Sequence, residues 1–125
     1  AVRFSVELPS EPPMSRCNCS ICHKLGATTP IVKPAAFTLL AGADALRAYE
    51  WGAKISKRYF CGTCGVLCFG KGYLDVIGGD YVSVSGNALE DVELSSWKVV
   101  YWDGRHDNWM AGPRETPYPI ANASA

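Results

Sequence analysis

Three cysteines fall within six residues, Cys17-Asn18-Cys19-Ser20-Ile21-Cys22, and a second pair, Cys61-Gly62-Thr63-Cys64, follows downstream. Cysteines this close cannot all form unstrained disulfides with one another, because a disulfide needs separated Cα atoms and opposed Cβ vectors. Their sulfurs can instead turn toward one metal ion. Soft thiolates in a tetrahedral arrangement suit zinc. Three thiolates on one short loop leave the fourth corner of the tetrahedron to substrate or water, which separates catalytic from structural zinc. The spacing also allows a zinc ribbon built from the Cys19/Cys22 and Cys61/Cys64 pairs, and on spacing alone that ribbon ranks first.

The remaining chemistry-bearing residues read more plainly. Cys68 sits in the apolar run Val66-Leu67-Cys68-Phe69, where a free thiol behaves as a small buried hydrophobe. His23 follows Cys22 directly; a fourth ligand or a proton carrier is its functional reading, a solvent-facing loop residue the plain one. His106 reads as a surface turn histidine before a general base. Arg16, Lys24 and Lys33 flank the first cluster, as an anionic substrate at a metal would require. Asp75 and Asp80 read as loop carboxylates.

These residues must be positioned by strands. Val2, Phe4, Val6 and Leu8 alternate with Arg3, Ser5 and Glu7, the period of a half-buried strand. The stretch from Pro9 to Pro13 breaks it just before the cysteines. Thr28 to Val32 is a short apolar element ended by Pro34, and Phe37 and Leu39 mark another strand closed at Gly42. Leu46 to Trp51 alternates again, with Tyr49 and Trp51 on one face. Ile55 to Phe60 leads into the Cys61/Cys64 knuckle. Gly70, Gly72, Gly78 and Gly79 read as punctuation. Tyr81 to Ser85 and Val99 to Trp102 complete the strands, the last turned by Asp103-Gly104. Single helical turns fit at Ala43 to Leu46 or near Leu89 to Leu94. The expectation is a mainly antiparallel β domain with less than about a fifth of its residues in helix. It spans residues 1–112, with a proline-containing, extended or loose tail at 113–125.

Composition narrows the function. A chain of 125 residues with 48% hydrophobic content builds one globular core. Lysine plus arginine equals aspartate plus glutamate at 12 each, so the electrostatic footprint of a nucleic-acid or membrane-surface protein is missing. No apolar run is long enough to span a bilayer, and the N-terminal residues form no signal-peptide core. Cysteines spaced as metal knuckles point to a reducing cytoplasm and not to a secreted disulfide framework.

In this order the motifs resemble the glutathione-dependent formaldehyde-activating enzyme family, related to centromere protein V. The likeness rests on C-x-C-S-x-C-x-K (Cys17 to Lys24), F-x-L-L-x-G (Phe37 to Gly42) and Y-F-C-G-T-C-G (Tyr59 to Gly65). G-G-D-Y-V-S-V (Gly78 to Val84) and W-D-G-R-H-D-N-W (Trp102 to Trp109) add to it. The resemblance implies a zinc-bearing β-tent fold of short antiparallel strands. It also raises an open zinc site of Cys17, Cys19 and Cys22 above the ribbon. A second, structural zinc in the family joins a C-x-x-C, matched by Cys61 and Cys64, to an N-terminal C-x-C. That knuckle would precede Ala1 and is absent here, either truncated, as the start in mid-strand favours, or lost. A complete second zinc site is therefore not expected, and Cys61 and Cys64 would be free thiols, a local disulfide or ligands of a metal shared with the first cluster.

The activity implied is a zinc-dependent carbon–sulfur lyase type. Glutathione or a similar small thiol would add reversibly to formaldehyde or another small aldehyde, with Arg16, Lys24 and Lys33 meeting the thiol's carboxylates. Zinc held by three thiolates is a poor Lewis acid for a carbonyl, but it can hold an incoming thiol as a thiolate. The rival reading is a non-catalytic zinc-binding β module for a protein partner or a small thiol, since fold alone does not assign function. A thiol redox role for Cys61 and Cys64 lacks a βαβ context. Nucleic acid and membrane are not expected partners; a homodimer is the assembly considered.

Overall fold

The computed structural model describes residues 1–9, 14–50, 56–75 and 78–120. The described strands are β1 (Arg3–Val6), β2 (Met14–Cys17), β3 (Ile31–Val32), β4 (Phe37–Ala41), β5 (Leu46–Glu50), β6 (Ser56–Cys61), β7 (Leu67–Leu74), β8 (Gly79–Val84) and β9 (Val99–Trp102). β3, β8, β7, β6 and β5 form a five-stranded antiparallel sheet in that order. β1 pairs antiparallel with β4, while β2 pairs parallel with β9. Pro12, Pro13, Trp51 and Ile55, on which some sequence expectations rest, lie outside the described residues. Among the described residues, no helix is long and apolar enough to cross a membrane.

The chain is mainly β: 42% of the described residues are in strands and 23% are helical. The helical share exceeds the expected fifth. The excess comes from three-residue 3-10 pieces such as Pro34–Ala36, Ala43–Ala45 and Gly86–Ala88. Pieces this short show no helical period in a sequence. One α-helix, α1 (Ser20–Leu25), is described.

The two faces of the central sheet do different work. Tyr59, Phe69 and Val84 lie in register across β6, β7 and β8 and, with Val82, face the β1/β4 pair. Phe37 and Phe69 rings lie 4.6 Å apart, and Phe4 and Phe37 rings 5.3 Å. This apolar cluster is the core, and the alternation of β1 places Phe4 and Val6 toward it and Arg3 and Ser5 outside. The opposite face carries Arg58, Gly70 and Ser83 in one register row and Ser56, Gly72 and Tyr81 in the next.

Gly70 and Gly72 are therefore not turn residues, as expected, but interior positions of β7. The reason is space. A Cβ on Gly70 would lie 2.7 Å from Ser83 Oγ and 2.9 Å from the Lys57 carbonyl oxygen, and one on Gly72 would lie 2.5 Å from Tyr81 Oη. Side chains of β8 thus lie across the bare backbone of β7.

Candidate metal centre and its cleft

The cysteine loop starts where β2 ends. Ser15 and Cys17 are two apart on β2 and share a face. Cys19 is the N-cap of α1, its sulfur accepting from the Cys22 amide at 3.4 Å. Gly26 ends the helix in the left-handed conformation that suits glycine, φ 63°, and its amide returns to the carbonyls of Cys22 and His23. One helical turn sets Cys19 and Cys22 on a common side. As a result, the sulfurs of Cys17, Cys19 and Cys22 all lie within 4.8 Å of one another.

That spacing fits a soft metal. A tetrahedron with zinc–sulfur bonds of about 2.3 Å has edges of about 3.8 Å, so small shifts would seat the ion. The protonation pattern agrees with the donor set. Hydrogen bonds from the Cys17 and Cys22 thiols hold Cys19 far below its ordinary range, and its thiolate takes the charge. Cys17 is pushed upward by Cys19 first, Cys22 by Cys17 and then Cys19, and burial adds to both. Three adjacent sulfurs cannot all ionise beside one another unless a cation joins them.

A second loop supports the first. β9 runs parallel to β2, so its C-terminal end delivers Asp103 beside Asn18. The Asp103 carboxylate is 5% exposed and accepts from Asn18 Nδ2 at 2.8 Å and Asn108 Nδ2 at 3.3 Å, with His106 Nδ1 at 2.7 Å. Arg105 closes the joint through its amide to Asn18 Oδ1 and its Nε to the Asn18 carbonyl. Asp103 is held below the usual carboxylate pKa, by Asn18 first.

Gly104 lets this loop approach the metal-ligand loop. A methyl group there would lie 2.5 Å from Cys17 Sγ and 2.7 Å from the Trp109 ring. Gly104→Ala is therefore expected to displace Cys17 and lower metal affinity by about tenfold or more, the scale of losing an outer support. Competition with a chromophoric chelator checks this; wild-type affinity in the variant would show that the contact yields without cost.

A cavity of about 410 Å³ opens on the three cysteines. Five hydroxyls border it: Ser15, Thr29, Ser56, Tyr81 and Ser83. Ile21, Ala27, Ile31 and Trp109 supply apolar wall. Its cation is Arg58, whose Nη2 donates to Cys22 Sγ at 3.1 Å. Lys57 and Lys71 also border the cavity, yet by strand parity their side chains leave from the other face. There Lys57 pairs with Glu50 at 3.2 Å and Lys71 lies 6.0 Å from the Phe69 ring centre.

The expected substrate cations are placed differently. Arg16 and His23 border a second recess of about 280 Å³ on the far side of the cysteine loop, together with Trp102 and Tyr118. Lys24 and Lys33 are exposed and border neither cavity that touches the cysteines. Residues of the tail pack locally: Arg114 bridges to Tyr101, and Tyr118 Oη donates to the Gly112 carbonyl at 2.9 Å.

Cys61 and Cys64 stand apart from the cluster of three, so the ribbon pairing does not form. Both are free thiols, as is buried Cys68. The amides of Cys64 and Thr63 lower the Cys61 pKa to about 7, whereas burial raises Cys68. Sequence reasoning missed Arg58, the hydroxyl set and the Asp103 joint. The alternation of Ser56 with Arg58 was the available signal for one; the others depend on which loops meet.

Fold and site together define a small β protein with a thiol-lined, metal-compatible cleft. Within that class, the chain belongs to the family described as glutathione-dependent formaldehyde-activating enzyme, whose sequence model matches residues 1–103. It is also similar to the crystal structure of a Rhodobacter sphaeroides protein, with a TM-score of 0.64 and 28% identity over 77% of this chain and 86% of that one.

Proposed function

We propose that the cleft binds zinc through Cys17, Cys19 and Cys22 and adds a small thiol, glutathione or a close analogue, reversibly to formaldehyde or another small aldehyde. The carrying observation is the opening of the three-sulfur cluster into a polar cavity. A purely structural site would instead be closed. Zinc bound there would supply one free position at which an external thiol is held as its thiolate.

The chain's own residues do the rest. Ile21, Ile31 and Trp109 form an apolar side of the cavity. Ser83 and Tyr81, laid over Gly70 and Gly72, offer hydroxyls to a polar substrate. An alkoxide formed when the thiol attacks the aldehyde requires a proton, and a hydroxyl chain is one means of delivering it. Holding both reactants in one cleft raises their effective concentration. Cys61 and Cys64 are proposed as a separate, structural pair of metal ligands.

Exchange NMR of formaldehyde and glutathione tests the reading. Hydroxymethyl-thiol formation should accelerate with zinc-loaded protein and return to the uncatalysed rate with Cys19→Ser. Equal rates in both, with zinc stoichiometric in the wild type, would transfer the assignment to the non-catalytic zinc module, which binds the thiol without turning it over.

A further inference from the structure

Arg58 stands out once the cleft is described. It lies on β6, in a different element from the cysteine loop, yet its guanidinium reaches Cys22 Sγ at 3.1 Å. Gly70 faces it across the register and has no side chain to block its path. It lies at the junction of two recesses, bordering both the cavity beside the thiols and an apolar one formed by Ile21, Leu25 and Phe60.

The charge balance of the donor set gives this contact a consequence. A divalent ion with three thiolates carries a net charge of about −1, which would repel an incoming thiolate. Arginine stays protonated at any working pH and is weakly hydrated, so it suits a partly enclosed anion. Hydrogen-bonded partners of a ligand also fix its orientation and support metal affinity.

We infer that Arg58 is the charge-setting residue of this centre: its bond to Cys22 neutralises the metal–tris-thiolate unit, which tightens metal retention and admits an anionic thiolate as fourth ligand. This rests on the zinc reading above. Arg58 is a positioning residue here, acting through Cys22 on whatever is bound.

Cobalt(II) is the probe, since its thiolate charge-transfer and ligand-field bands report ligand number and geometry. Chelator competition gives its affinity for wild type, Arg58→Gln and Arg58→Lys. Arg58→Gln should bind cobalt about 10–100-fold more weakly, the cost of losing an outer-shell partner. Arg58→Lys keeps the charge without the planar fork and should recover part of that loss. Titration with mercaptoacetate, an anionic thiol, should change the cobalt spectrum of wild type at lower concentration than that of Arg58→Gln. A merely structural arginine would leave Lys and Gln variants alike. Should Arg58→Gln not fold, cadmium-113-loaded wild type carries the test: scalar coupling between cadmium and an Arg58 guanidinium proton is expected through the N–H···S bond, and its absence overturns the contact. Equal cobalt affinity and equal thiol response in wild type and Arg58→Gln would overturn the role of Arg58 alone. A wild type that binds no cobalt or zinc would overturn the metal reading and this inference together.

Discussion

Serine at Cys17, Cys19 and Cys22 together is expected to take bound zinc from about one ion per chain at this loop to none, with the β fold retained. An alcohol is a hard, weakly acidic donor, so it replaces neither the charge nor the softness of a thiolate. Each single substitution should cost more than about 100-fold in affinity, beyond what an outer-shell partner contributes. Cys19→Ser should be among the most severe. It removes the sulfur that most readily ionises, while the serine hydroxyl can still cap α1, so the loss falls on the metal and not on the helix. Plasma emission analysis after dialysis against a chelator, with circular dichroism as a fold control, measures the result. Serine at Cys61 and Cys64 is the matched comparison and should spare this ion. A triple variant that kept its zinc against the chelator would remove the metal from the Cys17–Cys22 loop.

Asp103→Ala is expected to lower the thermal midpoint at pH 7 by about 5 °C or more, because three hydrogen bonds to a charged acceptor are broken in a domain of this size. Asn18, His106 and Asn108 lose their common partner, and the cysteine loop loses its brace. Metal affinity should fall with stability, by about tenfold. The pH dependence identifies the carboxylate. Its folded pKa lies below the ordinary 3.8, with Asn18 the largest cause. The folded protein therefore binds fewer protons at this group than the unfolded one. Its stabilisation is full above about pH 4 and disappears as pH falls through the lower, folded pKa. In melting scans from pH 7 downward, the gap between wild type and Asp103→Asn should thus narrow as the pH falls below about 4. Parallel curves over the whole range would show that the carboxylate's charge contributes nothing.

The strands were legible because period-two alternation survives in single sequences. Phe4 and Val6 against Arg3 and Ser5 is one case, and Phe37 with Leu39 is another. The glycines of β7 were not, since one letter serves both a turn and a bare strand surface; only Ser83 and Tyr81 lying above Gly70 and Gly72 distinguish them. The 3-10 turn at Ala43–Ala45 was anticipated, but those at Pro34–Ala36 and Gly86–Ala88 carry no period at three residues each. Lys24 and Lys33 drew attention through nearness in sequence to the cysteines, but helix α1 and the turn before β4 carry them to the outside. Arg58, distant in sequence, arrives at Cys22 because β6 crosses the same sheet face.

What the sequence by itself determined is that three thiols share one short loop; which thiols gather was decided by the fold, which keeps Cys61 and Cys64 apart from them. Three thiols on one loop need only local geometry to meet, although the helical turn that sets Cys19 and Cys22 on one side was not read from the sequence. The sequence also determined the β class, through alternation alone. Only the tertiary structure decided what surrounds those thiols. β2 and β9 pair in parallel with the central sheet between them in the chain, and parallel strands present their C-terminal ends at the same edge. That pairing brings Asp103 and Gly104 against Asn18 and Cys17, and it lays the cysteine loop over a sheet face of serines, Tyr81 and Arg58. No local period encodes such an encounter, because it follows from which strands find each other across most of the chain.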